Sequence, residues 1–347
     1  MLSLVYLVYL PLLLPVLAAG TARPIAERVE PRLATWLLTL SALALAAGSG
    51  ISLGVLAVAG VARLPLAGLI GDWSVGTVRT GDPVGLAEAA LAGLLFTVAL
   101  GAALRMLWRR MRALVAAGFE AYCLPGAGEL AVVEDERPEA YALPGLPNGG
   151  SPPDPGRSRS WGRIVVSTGM LRSLDQSERE VLFAHERAHL ACHHYAFVAA
   201  AHLASAANPL LRPVAAAVAY TVERWADERA ATACGDRRRV AQAVGKAALA
   251  AKRHRRRRGS RLPAAALGLV AGRHGRNGRK DRKDRKDRRD PLRGAGPVPR
   301  RVAALLTPPA YLRLVPQSVT ALLVGASVLC ATAAARDLHH LLKIAHG

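Results

Sequence analysis

The chain has 347 residues, 52% of them hydrophobic, and a formal net charge of +21. Its length would allow two soluble domains, but apolar runs over 2–19, 33–62, 86–104 and 319–335 each approach or exceed the ~20 residues that cross a bilayer, which argues against a wholly soluble protein. The charge resembles a nucleic-acid signature. However, residues 252–301 hold 20 of the 46 Lys and Arg against 4 of the 25 Asp and Glu, so the basicity belongs to one segment and not to the folded body.

The first apolar run, 2–19, carries no charge before Arg23 and so lacks the basic start of a signal peptide; a retained membrane helix is expected. A loop with Arg23, Arg28 and Arg32 leads to a second helix within 33–62, where Gly48, Gly50, Gly54 and Gly60 suggest close helix packing. After a loop over 63–85, a third helix spans roughly 86–107 and is flanked by Arg105, Arg109, Arg110 and Arg112. Such a basic flank belongs on the cytoplasmic side, which puts the N-terminus and the 63–85 loop outside. Residues 1–112 are thus read as three transmembrane helices.

A protease-sized module follows over 113–251. Short strands are expected at Glu129–Glu134, Ala140–Leu143 and Arg163–Ser167, with a Pro-, Gly- and Ser-rich loop at 148–160. Asp175-Gln176-Ser177-Glu178 is a capping-box pattern that opens the next helix. The apolar run 196–219 is broken at Asn208-Pro209, which predicts a membrane-associated hairpin of two short helices. A helix over Tyr220–Cys234 ends at Gly235, and 236–251 continues as helix. Residues 252–299, including Arg255–Arg258 and the R-K-D repeat at 279–290, read as a disordered basic insert. Residues 300–347 hold a short helix, a final membrane helix near 316–335 and a tail of about a dozen residues. Cys123, Cys192, Cys234 and Cys330 show no paired spacing and read as incidental core thiols.

The chemistry is concentrated in His185-Glu186-Arg187-Ala188-His189. At i and i+4 on a helix, His185 and His189 project from one face and can share one zinc, while Glu186 can reach a water beside it. A catalytic zinc needs three protein ligands. On a continuous helix the Cα of His193 would lie about 12 Å from that of His185, too far to share the metal. His193 and His194 therefore read as helix-end or interface residues. Glu223 and Asp227, also i and i+4, are the better partners: Glu223 as third ligand, Asp227 as acceptor for the free ring N–H of a ligand histidine. This requires 196–219 to fold back rather than cross the membrane once.

H-E-R-A-H after a strand running into V-V-S-T-G-M-L, with E-R-W-A-D downstream and A-Y-A-L-P-G upstream, resembles the gluzincin membrane metallopeptidases. Peptidase family M-56, the BlaR/MecR type, is the nearest likeness, and HtpX-like and CaaX-processing proteases share the ingredients. The resemblance implies a mainly α integral membrane protein with a small α+β zincin-like module on the cytoplasmic side of a bacterial cell membrane. It implies one Zn2+ per chain on His185, His189 and Glu223, with Glu186 as general base and Asp227 orienting a ligand. The strand Ala140, Tyr141, Ala142 and Leu143 would lie beside the cleft, where a protein or peptide substrate could pair. The oxyanion donor stays open among Tyr195, His193, His194 and Arg224. Two features depart from that family: no S-x-x-K follows the last membrane helix, which argues against a β-lactam receptor, and the basic insert lies outside the pattern. The expected function is zinc-dependent endopeptidase action on a cytoplasmic or membrane-proximal protein. The alternative is a membrane-anchored binding protein whose basic segment holds nucleic acid or anionic membrane lipid.

Overall fold

The computed structural model describes residues 2–61, 85–124, 128–145, 162–258, 295–307 and 325. Apart from residues 85 and 325, the expected loops over 63–85 and 148–160, the basic repeat at 279–290 and the last membrane helix at 316–335 lie outside the described residues. The chain divides into two compact units: Met1–Arg109, Ala199–Val218 and Tyr311–Gly347 form the first, and Arg110–Val198 with Ala219–Ala310 the second.

The first unit is helical among the described residues. Helices α1 (Leu2–Arg28), α2 (Pro31–Val61) and α3 (Leu86–Cys123) contain three segments long and apolar enough to cross a membrane. Two run longer than expected. Beyond its apolar run, α1 continues through Ala22 and Ala26, both good helix formers, with an Arg23 Nε to Glu27 Oε1 pair at 2.9 Å, so the 20–32 loop shrinks to a two-residue link. No proline follows the arginines within α3, and its helix carries them through Gly118 to Cys123 instead of ending there. Of the α2 glycines, Gly54 does meet a neighbour: a Cβ there would lie 3.6 Å from the Phe96 ring.

Pro15 has no N–H to give the carbonyl of Pro11 one turn earlier. The Ser49 hydroxyl of α2 stands 2.9 Å from that carbonyl. The same hydroxyl accepts from Asn208 Nδ2 at 3.0 Å. Asn208 sits between α6 (His194–Ala207) and a 3-10 turn at Pro209–Leu211, and its Oδ1 accepts from Leu210 N at 3.1 Å. The expected break in 196–219 is therefore present. Its second arm is not a separate short helix, however, because α7 runs unbroken over Arg212–Cys234. Pro213 falls in the first turn of α7, where a missing N–H costs nothing.

The second unit has a sheet of three described strands, β1 (Leu130–Val133), β2 (Ala140–Pro144) and β3 (Gly162–Ser167), in the order β1-β3-β2. β1 runs parallel to β3 and β2 antiparallel, with Ala142 opposite Ile164. Alternation divides the side chains between faces. Ala142, Ile164 and Val166 pack with Met170, Leu174 and Leu190, while Leu143, Val165 and Ala131 pack with Ala121 at the end of α3. β3 opens on glycine because a Cβ on Gly162 would strike the carbonyl of Leu143 in β2.

Four more helices complete this unit. α4 (Thr168–Ser173) is capped by Ser167. α5 (Gln176–Ala191) has the full capping box: Asp175 Oδ1 accepts from Glu178 N at 2.9 Å, and Glu178 Oε2 from Asp175 N at 2.8 Å. α7 ends as expected at Gly235, whose φ of +69° suits a residue without a Cβ. α8 (Arg237–Arg258) extends past 251 and takes Arg255–Arg258 into a helix instead of the disordered stretch expected. α9 (Pro297–Leu306) begins with prolines in its first turn. Arg237 holds its far end, donating Nε to the Leu305 carbonyl at 3.1 Å while its two other nitrogens clasp Glu228 at 2.6 and 2.7 Å. Leu305 is buried with Val181, Ala230 and Val240, a burial worth roughly 1.5–3 kcal/mol. Of the described cysteines, Cys123 is exposed rather than buried in a core, and Cys192 and Cys234 are half-buried.

Candidate metal centre

α5 and α7 bring together the residues singled out in the sequence. His185 and His189 face each other from successive turns, Nε2 to Nε2 at 3.2 Å. Glu223 on α7 places Oε2 3.7 Å from His185 Nε2 and Oε1 3.7 Å from His189 Nε2. Donor atoms of the three residues all fall within 4.8 Å of one another. Tetrahedral zinc with bonds of ~2.0–2.1 Å separates its ligands by about 3.4 Å, so this donor set fits zinc with adjustments of a few tenths of an ångström. The donor chemistry fits too, since two imidazoles and a carboxylate are a common catalytic zinc set.

Asp227 lies behind the first histidine, its Oδ1 3.1 Å from His185 Nδ1. The far ring nitrogen thus faces a carboxylate at ion-pair distance, which leaves Nε2 for a metal. Glu186 points beside the donors and is buried at 6% exposure. The Ala142 backbone N–H lies near its carboxyl and favours the ionised form slightly. Tyr141 turns away and donates to Glu120 Oε1 at 3.0 Å, and Ala140 and Leu143 serve the sheet's two core clusters. Thus β2, an outer strand of the sheet, meets Glu186 through Ala142.

Electrostatics separate the three carboxyls. Burial raises Glu186, opposed by His185 and reinforced by Glu223, to about 7. Burial acts in the same direction on Glu223 and Asp227, but the Arg301 guanidinium outweighs it and holds both below the ordinary carboxylate range. Burial would lower His185, yet Asp227 and Glu223 raise it to about 10; His189 is brought down to about 4, chiefly by burial.

Two residues of this cluster were not assigned to it from the sequence. Arg301 on α9 donates Nε and Nη2 to Asp227 at 2.7 and 2.6 Å, and Nη1 to Glu223 Oε2 at 2.7 Å. The signal was present: two carboxylates on one buried helix face need a cation, and an Arg-Arg pair opens the helix at 300–306. The other is His194, read as a helix-end or interface residue on an assumed continuous helix. Instead α5 stops at Ala191, and His193 takes a left-handed φ of 51° although no glycine is present. That turn brings His194 back, with its Nδ1 3.1 Å from His189 Nδ1.

A pocket beside these groups has apolar walls of Ala142, Pro144, Leu190, Val198 and Val222, with Glu186, His189, His194 and Tyr195 on its polar side. Of the four oxyanion donors left open, His194 and Tyr195 line it and His193 and Arg224 do not.

The profile of Peptidase family M48 matches residues 105–308. The chain belongs to Peptidase family M48. M48 peptidases are zinc-dependent, in keeping with the donor set. The M48 match runs from α3 to the end of α9 and so covers every residue of the cluster. It also corrects the finer family reading: the M-56 assignment is not supported. H-E-x-x-H and a downstream Glu are ingredients shared among gluzincins, so those motifs did not separate one such family from another. No curated protein and no solved structure matches the chain.

Proposed function

We propose that this M48 member is a membrane-embedded zinc endopeptidase that cuts a cytoplasmic or membrane-proximal protein, with signalling as one setting for that cut. The observation that carries the reading is the convergence of His185 Nε2, His189 Nε2 and a Glu223 carboxylate oxygen on one point, with Glu186 buried alongside.

In this reading His185, His189 and Glu223 hold one zinc per chain. Zinc bound there supplies Lewis acidity to the scissile carbonyl and to water. Glu186 takes the proton of the attacking water and passes it to the leaving amine. The Ala142 N–H on β2 faces the Glu186 carboxyl and favours its ionised form. Asp227 orients His185, and Arg301 keeps Glu223 and Asp227 ionised at any pH where the enzyme works. The substrate adds as a strand along the free edge of β2, and an apolar side chain next to the cut enters the pocket.

α1, α2 and α3 anchor this machinery in the lipid. The arginines of α3 favour the cytoplasmic side for the metal site, and the hairpin of α6 and the start of α7 dips into the membrane or lies along it. The family match favours this over the reading in which the basic segment binds nucleic acid or lipid.

The test compares wild type with Glu186→Gln, purified in detergent and loaded with zinc. The expected result is zinc retained in both and peptide hydrolysis lost in the variant. Hydrolysis that survives the change would sink the proposal.

A further inference from the structure

The hydrogen bond between His189 and His194 has a direction, and that direction bears on metal binding. For His189 Nε2 to offer a lone pair to a metal, the neutral ring must carry its proton on Nδ1. That Nδ1–H then needs an acceptor, and His194 Nδ1 lies 3.1 Å away. In the opposite arrangement His194 Nδ1 would donate, and the His189 proton would sit on Nε2, between the rings of His185 and His189, where it blocks a metal.

The setting of His194 suits the first arrangement. It is 1% exposed and opens α6 directly after the left-handed turn at His193. Its ring meets that of His189 edge-on at 4.8 Å and 87°. The Trp225 ring closes its other side at 4.7 Å. The imidazole is thus held between two rings. In this arrangement the proton of His194 sits on Nε2, which is buried with no hydrogen-bond partner among the described residues, a cost that metal binding at His189 must outweigh.

We propose that His194 is a positioning residue: it accepts the Nδ1–H of His189 and so fixes the tautomer whose Nε2 can bind zinc. His189 thereby has a neutral acceptor behind it where His185 has the carboxylate of Asp227. The two ligands differ in consequence. His185 is backed by a charge and gains basicity, whereas His189 is backed by a neutral ring and gains orientation. The proposal rests on the reading of His185, His189 and Glu223 as a zinc site.

The test is zinc affinity of the purified full chain, measured by competition with a chromophoric chelator and needing no substrate. His194→Asn keeps an acceptor, since Asn Oδ1 occupies the place of Nδ1. His194→Leu keeps apolar bulk and removes the acceptor. The expected result is wild-type affinity within about threefold for Asn and a loss of roughly 10–100-fold for Leu. Affinity is compared per folded molecule, and His194→Gln, whose oxygen lies one bond too far out, stands in if the Leu variant does not fold. Unchanged affinity in the variant without an acceptor would overturn the proposal. So would an equal loss in Asn, because ring packing and not the hydrogen bond would then be what matters. A wild-type chain that binds no zinc would overturn the site reading and this proposal with it. Zinc binding in wild type with either of the first two outcomes overturns only the role of His194.

Discussion

Arg301 grips Asp227 through two near-parallel hydrogen bonds, Nε to Oδ2 at 2.7 Å and Nη2 to Oδ1 at 2.6 Å. Its remaining arm reaches Glu223, so one guanidinium balances two buried carboxylates. Arg301→Ala would leave those carboxylates with the protonated His185 as their remaining counter-charge in the zinc-free protein. Breaking such a buried pair costs about 3–5 kcal/mol, and Lys cannot reproduce the fork. Denaturant unfolding of the zinc-free protein should show a clear drop in midpoint for Ala and a substantial one for Lys. A wild-type midpoint in the Ala variant would contradict this account of Arg301.

Zinc binding should release a proton. In the metal-free protein His185 stands between Asp227 and Glu223 and holds its proton up to about 10, against the downward pull of burial. Zinc needs the Nε2 lone pair, so that proton must leave. Affinity therefore rises with pH, about tenfold per unit between roughly pH 7 and the His185 value. Chelator competition across pH measures the slope, and a flat profile would count against it.

The approach of β2 to β3 at Gly162 offers a mutation away from the metal. A methyl there strikes the Leu143 carbonyl and shifts the strand that presents the Ala142 N–H to Glu186. Gly162→Ala should lower peptide hydrolysis by roughly 10–100-fold while zinc content stays at the wild-type level. Loss of both together would mean that β2 supports the fold and not the alignment of Glu186.

The cap of α5 carries its own pH signature. Asp175 is held below its ordinary pKa, first by the Glu178 backbone N–H and then by Ser177. A group depressed on folding contributes stability above its unfolded pKa and loses it as pH falls through the folded one. Asp175→Ala should thus lower the unfolding temperature at pH 7 and cost much less at an acid pH below the depressed Asp175 value. Melting curves at the two pH values decide it; an equal drop at both would show that the charge plays no part.

Much of the site was legible because its signals are local. The cap at Asp175, the break at Asn208-Pro209 and the stop at Gly235 each follow from the chemistry of a few adjacent residues, and each is present. The spacing of His185, His189, Glu223 and Asp227 on two helices placed them on usable faces. What escaped depended on long-range or unusual geometry. A positive φ at His193 has no glycine to announce it, and it alone brings His194 against His189. Arg301 arrives from a helix far along the chain, and a basic residue in so basic a stretch does not advertise that it turns inward to two carboxylates. Helix ends were misjudged where polar residues kept good helix propensity, as in α1 past Thr21 and α8 through Arg258.

The central claim is that one zinc sits on His185, His189 and Glu223. X-ray absorption at the zinc edge, on protein loaded to one metal per chain, tests it most directly. The account predicts two imidazole nitrogens with oxygen ligands and no sulfur, and one imidazole fewer, or no bound zinc, in His189→Ala. A sulfur in the shell, or a spectrum unchanged by His189→Ala, would contradict it.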